Sequence, residues 1–225
     1  MFGLFKKKKK ETLPEYWNAY EQLFREKTTP YIADTRFVIL DTETTGLHYR
    51  SDRILSIGAI TVLDNSISVS DIFEVYVKQE TFNPETVKIH GLLREEKQAN
   101  RISEEEAVRL FLQYAGNAVL VAHHARFDLT MLNNALKRLG LPKLKNRVLD
   151  TSTLYNRARI MSNLIDRNKN HSLDELAETL NVARNDRHTA AGDAYITALV
   201  FLKILARLKQ KGTVRTRDLF SPESR

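Results

Sequence analysis

The stretch Phe37-Val38-Ile39-Leu40-Asp41-Thr42-Glu43-Thr44-Thr45-Gly46 constrains the fold more than any other part of the chain. Four apolar residues are too few for a helix and read as a buried central strand, which Thr-Thr-Gly then turns. Because strand side chains alternate faces, Asp41 and Glu43 leave the sheet on the same side, close together. Two carboxylates that close repel, and in a low-dielectric setting one takes up a proton unless positive charge sits between them. A divalent cation supplies that charge. An isolated Asp-x-Glu is more often a strand ending in a polar turn, so the rest of the chain has to provide further ligands.

The sequence has 225 residues, which makes a single globular core with extensions the default. The absence of cysteine excludes a disulfide framework and a thiolate metal site, fits a reducing cytoplasm, and leaves any metal to carboxylates and imidazoles. No apolar run approaches the roughly 18 residues of a membrane span. Met1 to Phe5 place their apolar residues before Lys6 to Lys10, the reverse of a secretory signal. The net charge of +7 is unevenly spread. Residues 1–30 carry seven Lys/Arg against four Asp/Glu, and residues 203–225 carry seven against two, so the basic character lies at the ends. A polyanion approaching the more acidic centre needs metal there, while the ends hold its backbone loosely. The five lysines themselves read as a solvated tail.

Residues 1–30 are expected to form a basic tail and an accessory helix, from about Pro14 to Lys27, with Tyr16, Tyr20 and Leu23 on one stripe and Trp17 and Phe24 beside it. The main domain spans 31–212, and 213–225 form a polar tail. Ile54 to Val62 is a second strand, and Asp64-Asn65 turns the chain into a third, Ser66 to Val77, giving an antiparallel meander. Ser103 with Glu106 is a capping box opening a helix to about Ala115, and Ser172 with Glu175 is a second. Ala118 to Ala122 and Arg147 to Asp150 read as strands, each running into a helix, and a long helix spans about Thr189 to Lys211. Asp166 to Asn170 reads as a polar loop. The outcome is an α/β domain with a mixed sheet, in which ligands collect at strand ends and helix starts.

Three more residues sit where such a site is built. Asp128 opens the helix after the strand ending at Ala122, and His188 and Asp193 open the long last helix. Thr189-Ala190-Ala191-Gly192 between them are small enough to let that helix approach the sheet. For His123 and His124 a structural role outweighs a catalytic one, and Asp150 reads as a helix cap rather than a further ligand.

With these residues in place the chain resembles the DEDD superfamily of 3′→5′ exonucleases, in its histidine-containing branch. That branch includes the proofreading epsilon subunit of bacterial DNA polymerase III, ribonuclease T and oligoribonuclease. Asp41 to Gly46 is similar to the first family motif, Ala122 to Asp128 to the second, and His188 to Asp193 to the third; Ile89-His90-Gly91-Leu92 is similar to a short segment between the first two. The resemblance implies a ribonuclease H-like fold for residues 31–212, with a five-stranded mixed sheet flanked by helices and its first three strands antiparallel. It implies two Mg²⁺ or Mn²⁺ ions about 3.5–4 Å apart on Asp41, Glu43, Asp128 and Asp193, and His188 as the general base. It further implies that Thr44, Leu47, His90 and Phe127 contact substrate, with Leu47 and Phe127 against terminal bases. His124 replaces a usual asparagine and Thr189 a frequent arginine, which puts local positioning in question. The implied activity is release of nucleoside 5′-monophosphates from 3′ ends of single-stranded DNA, in proofreading or repair, with a DNA polymerase as partner. The alternatives are a 3′→5′ exoribonuclease or oligoribonuclease and a non-catalytic nucleic-acid-binding module. Asp218-Leu219-Phe220 resembles the end of sliding-clamp binding peptides.

Overall fold

A computed structural model describes residues 12–79, 100–159, 169–185 and 187–220. Strand β1 (Phe37–Thr44) is buried on both faces, as its unbroken apolar run requires. It pairs antiparallel with β2 (Ile54–Leu63), and β2 pairs antiparallel with β3 (Ser66–Val77). Two residues, β4 (Arg101–Ile102), run parallel to the outer edge of β3. On the far side of β1 follow β5 (Val119–Ala122) and β6 (Val148–Asp150), both parallel to it. The sheet therefore reads β4-β3-β2-β1-β5-β6, six strands rather than the five expected. The additional strand is too short to leave an alternating pattern in the sequence.

Helices cover both faces. Phe37 and Ile39 of β1 pack into one apolar cluster with α4 (Thr151–Ala158), α5 (Leu173–Thr179) and α6 (Ala190–Gln210). Val38 and Leu40 pack into the opposite cluster with α1 (Glu15–Gln22), α2 (Glu104–Ala115) and α3 (Arg126–Arg138). This alternation fixes the site: Asp41 and Glu43 continue the row that faces α6, and Thr42 continues the row that faces α3.

The first helix is more than an accessory. Trp17 is fully buried, and the Tyr20 hydroxyl donates to Asn146 Oδ1 at 2.6 Å, while Asn146 donates to the carbonyls of Gly116 and Ala118. Helical periodicity identified which face packs but not how deeply.

Local sequence signals explain most helix ends. Ser172 and Glu175 form the full reciprocal box at α5. At α2 only half forms: Ser103 accepts from the Glu106 amide, but the Glu106 carboxylate turns to Arg109. The long helix is capped by Thr189, whose Oγ1 accepts from the Gly192 amide at 3.1 Å, so the residue that departs from the family pattern performs a standard capping task.

Residues Thr216–Phe220 form a 3₁₀ turn on the α4–α6 face. Arg157 donates to the carbonyls of Asp218 and Leu219, and Leu219 is 2% exposed within the core cluster. A clamp-binding peptide has to present such apolar side chains outward; here Leu219 is committed to the fold, which removes the basis for that reading. No helix among the described residues is long and apolar enough to cross a membrane.

Candidate active site

The site forms where β1 outlasts its parallel neighbour. Pairing with β5 ends at Ile39, so Asp41 to Thr44 project past the end of β5, and the β1–β2 register shifts between Glu43 and Thr44. Oxygens of Asp41, Glu43 and Asp193 lie within 4.8 Å of one another. Glu43 and Asp193 are each 7% exposed, whereas Asp41 keeps more of its surface accessible.

Asp193 reaches this cluster because α6 starts directly over β2. Gly58 is the register partner of Asp41, and a Cβ added at Gly58 would lie 2.1 Å from the Ala190 carbonyl carbon and 2.2 Å from the Ala191 nitrogen. The small residues at 190–192 allow the approach, as expected, but it is the missing side chain on the strand that receives the helix backbone.

Asp128 arrives from the other layer. It lies outside the three-carboxylate group, and its Oδ1 accepts from both the amide and the hydroxyl of Thr42 at 2.9 and 2.7 Å. Those bonds follow from Thr42 facing α3.

The electrostatics describe a site short of positive charge. Burial, then the carboxylates of Asp128, Asp193 and Glu43, hold Asp41 well above its usual proton affinity. Burial pushes Asp128 up to about 7 despite the Thr42 bonds. Burial also raises Asp193, against the lowering effect of Arg187. Arg187 bonds Asp174 at 2.9 and 3.2 Å through Nε and Nη2, and its Nη1 donates to Asp193 Oδ1. The oxygen-only donor set fits hard divalent cations such as Mg²⁺ or Mn²⁺.

His188 is exposed in the loop entering α6, with φ +66°, a left-handed conformation in which histidine is over-represented. His124 has φ +54°; asparagine and histidine both tolerate that region, which accounts for their exchange in the second motif. Asp150 caps α4 by accepting from the Thr153 amide, and it also accepts from the Ala125 amide. It is the cap that the sequence suggested.

His123 is structural. Its Nδ1 bonds Thr151 Oγ1 at 2.8 Å, and burial together with His124 lowers its pKa to about 4. Between about pH 6.5 and 4 the unfolded chain takes up a proton that the folded chain refuses, so this group costs stability as pH falls. Wild type is expected to lose about 2 kcal/mol more than His123→Gln between pH 7 and pH 5. Urea denaturation of both proteins at the two pH values measures this, and parallel losses would contradict it.

The substrate-facing expectations fare unevenly. Leu47 is 79% exposed at the tip of a loop held by Asp52, which accepts from Thr45 Oγ1 and the His48 amide. Phe127 is half-buried against the α1–α3 cluster, with Tyr49 at 5.6 Å between ring centroids. Thr44 is buried and donates to the Gly46 carbonyl at 2.8 Å. His90, with its flanking segment, and Lys6 to Lys10 lie outside the described residues. Sequence reasoning missed Gly58, Arg187 and a basic groove of about 330 Å³ formed by Tyr49, Arg50, Arg53, Asn134, Lys137 and Arg138, whose Tyr49 ring meets Phe127. A glycine inside an apolar strand was the available signal for the first; the groove joins a loop to a helix and leaves no local pattern.

Similar proteins agree with this architecture. A DNA polymerase III PolC-type protein of Caldanaerobacter subterraneus subsp. tengcongensis is 37% identical over 177 residues, 78% of this chain but 12% of that protein, so the chain spans about an eighth of that relative's length. Among solved structures, E. coli exonuclease I in complex with a dT13 oligonucleotide superposes with a TM-score of 0.65 at 18% identity, covering 80% of this chain and 43% of the other. Exonuclease X in complex with 5′ overhanging duplex DNA gives 0.59 at 24% identity, covering 82% and 99%. At those identities the two structures speak for the fold. A family model described as Exonuclease matches residues 38–201, a span that holds Asp41, Glu43, Asp128, His188 and Asp193, and the chain therefore belongs to the exonuclease family.

Proposed function

We propose that this chain is a metal-dependent 3′→5′ exonuclease of the histidine-containing branch, acting on single-stranded DNA ends in proofreading or repair and releasing nucleoside 5′-monophosphates. The observation that carries the reading is the convergence of Asp41, Glu43 and Asp193 within 4.8 Å, next to Asp128, with too little positive charge among them. These four carboxylates would hold two divalent cations. When bound, the cations neutralise charge on the phosphate and on the attacking and leaving oxygens.

The remaining work belongs to side chains. His188, exposed in the loop five residues before Asp193, accepts the proton of the attacking water, a task for which histidine is the commonest side chain. Exposed Leu47 separates the terminal base from its neighbour, and Phe127 with Tyr49 offers a face for stacking. Arg50, Arg53 and Lys137 line the groove that receives the preceding phosphates. DNA is preferred over RNA because the relative named above is a DNA polymerase and the similar structures hold DNA. By the same likeness, a polymerase is the proposed partner. Degradation of RNA ends is the second reading.

His188→Ala is expected to lower turnover by about 10²–10⁴-fold, the usual worth of a general base, with little change in strand affinity. Wild-type activity should show a rising limb with pH that the variant lacks. The reading as a whole is tested with matched DNA and RNA strands labelled at either end. With Mg²⁺, 5′-labelled DNA should shorten stepwise while 3′-labelled DNA releases its label at once, and EDTA should stop both. The opposite polarity, or faster loss of RNA, would refute the assignment.

A further inference from the structure

We propose that a basic cleft at the opposite end of the sheet from the carboxylates binds the sugar–phosphate backbone of a nucleic-acid strand, giving this chain a second hold on its substrate. The proposal rests on the nuclease reading for the identity of the strand, but its geometry is independent of the carboxylate site. The cleft, of about 460 Å³, lies where the parallel strands begin: its lining includes Arg36 before β1, Val119 at the start of β5 and Arg147 before β6. Asp41 is five residues further along β1, roughly 16 Å at the usual rise per strand residue.

Residues from both basic segments meet here: Lys27 from the first, and Arg215 and Arg217 from the last. Tyr31 and Arg215 form an isolated antiparallel bridge, the Ile32 amide donates to the Val214 carbonyl, the Thr216 amide donates to the Pro30 carbonyl, and the hydroxyls of Thr35 and Thr216 bond at 2.6 Å. This stitching brings Lys27 from one end and Arg215 and Arg217 from the other to a wall that already carries Arg36, Lys145 and Arg147. Asp34 is the one acid in the lining. Lys27 and the pair Arg215 and Arg217, about 190 residues apart in the sequence, share one face in the fold.

The cations are of two kinds. Arg36 is pinned by the carbonyls of Tyr114 and Ala115 and by Thr61 Oγ1, so it contributes charge rather than free donors. The others are exposed. Arg147 lies over the Phe220 ring at 3.4 Å from its centroid, which holds it in place without an acid. Lys145 and Arg217 pair with the half-exposed acids Glu21 and Asp218, contacts weak enough to exchange for phosphate. The charges are spread along a rim instead of converging on one point. That distribution matches successive phosphates of a strand better than a single mononucleotide. Because the acidic site repels a backbone until cations bind, the cleft predicts strand affinity that does not need metal.

The test uses the full chain and the triple variant Lys27→Gln/Arg147→Gln/Arg215→Gln. Binding of a labelled single strand of roughly 20 deoxythymidines is followed by fluorescence anisotropy in EDTA across a salt series. The variant should bind at least about tenfold more weakly, with the log–log salt slope reduced by about 2, since each single-strand phosphate contributes about 0.7. Hydrolysis of the nitrophenyl ester of thymidine 5′-monophosphate, which is too small to reach the cleft, should be the same in both proteins with Mg²⁺. Unchanged strand affinity and slope would overturn the proposal. So would an equal loss of ester hydrolysis, or thymidine monophosphate displacing the strand in wild type at concentrations to which the variant is indifferent. If wild type binds strands through the cleft yet hydrolyses neither ester nor strand, the nuclease reading fails while the cleft stands.

Discussion

Asp41→Asn should abolish hydrolysis and, in EDTA, make the protein more stable than wild type. The first effect follows from loss of a proposed cation ligand: several kcal/mol of charge stabilisation at the phosphate corresponds to a rate loss of about 10³-fold or more. The second follows from the repulsion that holds Asp41 above its ordinary proton affinity, with burial as the larger cause and Asp128, Asp193 and Glu43 adding to it. A raised carboxylate pKa means that the folded chain binds more protons than the unfolded one, so this cost grows as pH rises from the usual Asp value through the folded-state value. Asparagine removes it. Melting in EDTA at pH 8 should therefore shift upward, by about 2–4 °C per kcal/mol for a domain of this size. Added Mn²⁺ should raise the wild-type midpoint and move the variant much less. A variant that is inactive but destabilised in EDTA would count against a like-charge cluster.

Gly58→Ala should be severely damaging for the addition of one methyl group. Its Cβ would sit 2.1 to 2.3 Å from backbone atoms of Ala190 and Ala191, and backbone cannot rotate away as a side chain can. Either α6 lifts from β2 or β2 bends. Overpacking of this kind costs about 1–3 kcal/mol, at times more, and a lifted α6 carries Asp193 away from Asp41. We expect a melting temperature lower by several degrees and activity reduced by about 10²-fold or more, consistent with misplacement by about 1 Å. Ala59→Gly, one residue along on the opposite face, supplies a comparison: it should lose stability without a matching loss of activity per folded molecule. Circular dichroism melts and turnover at a temperature where all the proteins are folded separate the two effects.

The parts of the site visible in the sequence were those set by local periodicity. Strand alternation was enough to put Asp41 and Glu43 on one side, and the small residues at 189–192 were enough to expect a close helix. The layer from which Asp128 arrives depends on which sheet face α3 covers, and that in turn depends on β5 pairing with β1 rather than with β3. Neither follows from a local pattern. Gly58 was readable as an unusual strand residue but not as the socket for α6, because its partner lies more than a hundred residues away. Arg187 is a charged loop residue in the sequence; only the folded loop brings its guanidinium between Asp174 and Asp193. The burial of Trp17 and the stitching of Pro30 to Ile32 onto Val214 to Thr216 were hidden for the same reason, since both are long-range contacts.

Carboxylates from β1, α3 and α6 are proposed to hold divalent cations. Equilibrium titration with Mn²⁺, counting free ion by its paramagnetic resonance signal, tests this without reference to turnover. Wild type should bind two ions per chain; Asp193→Asn and Asp128→Asn should each weaken or lose at least one while keeping the wild-type fold by circular dichroism. Binding in both variants with wild-type stoichiometry and affinity would contradict the account.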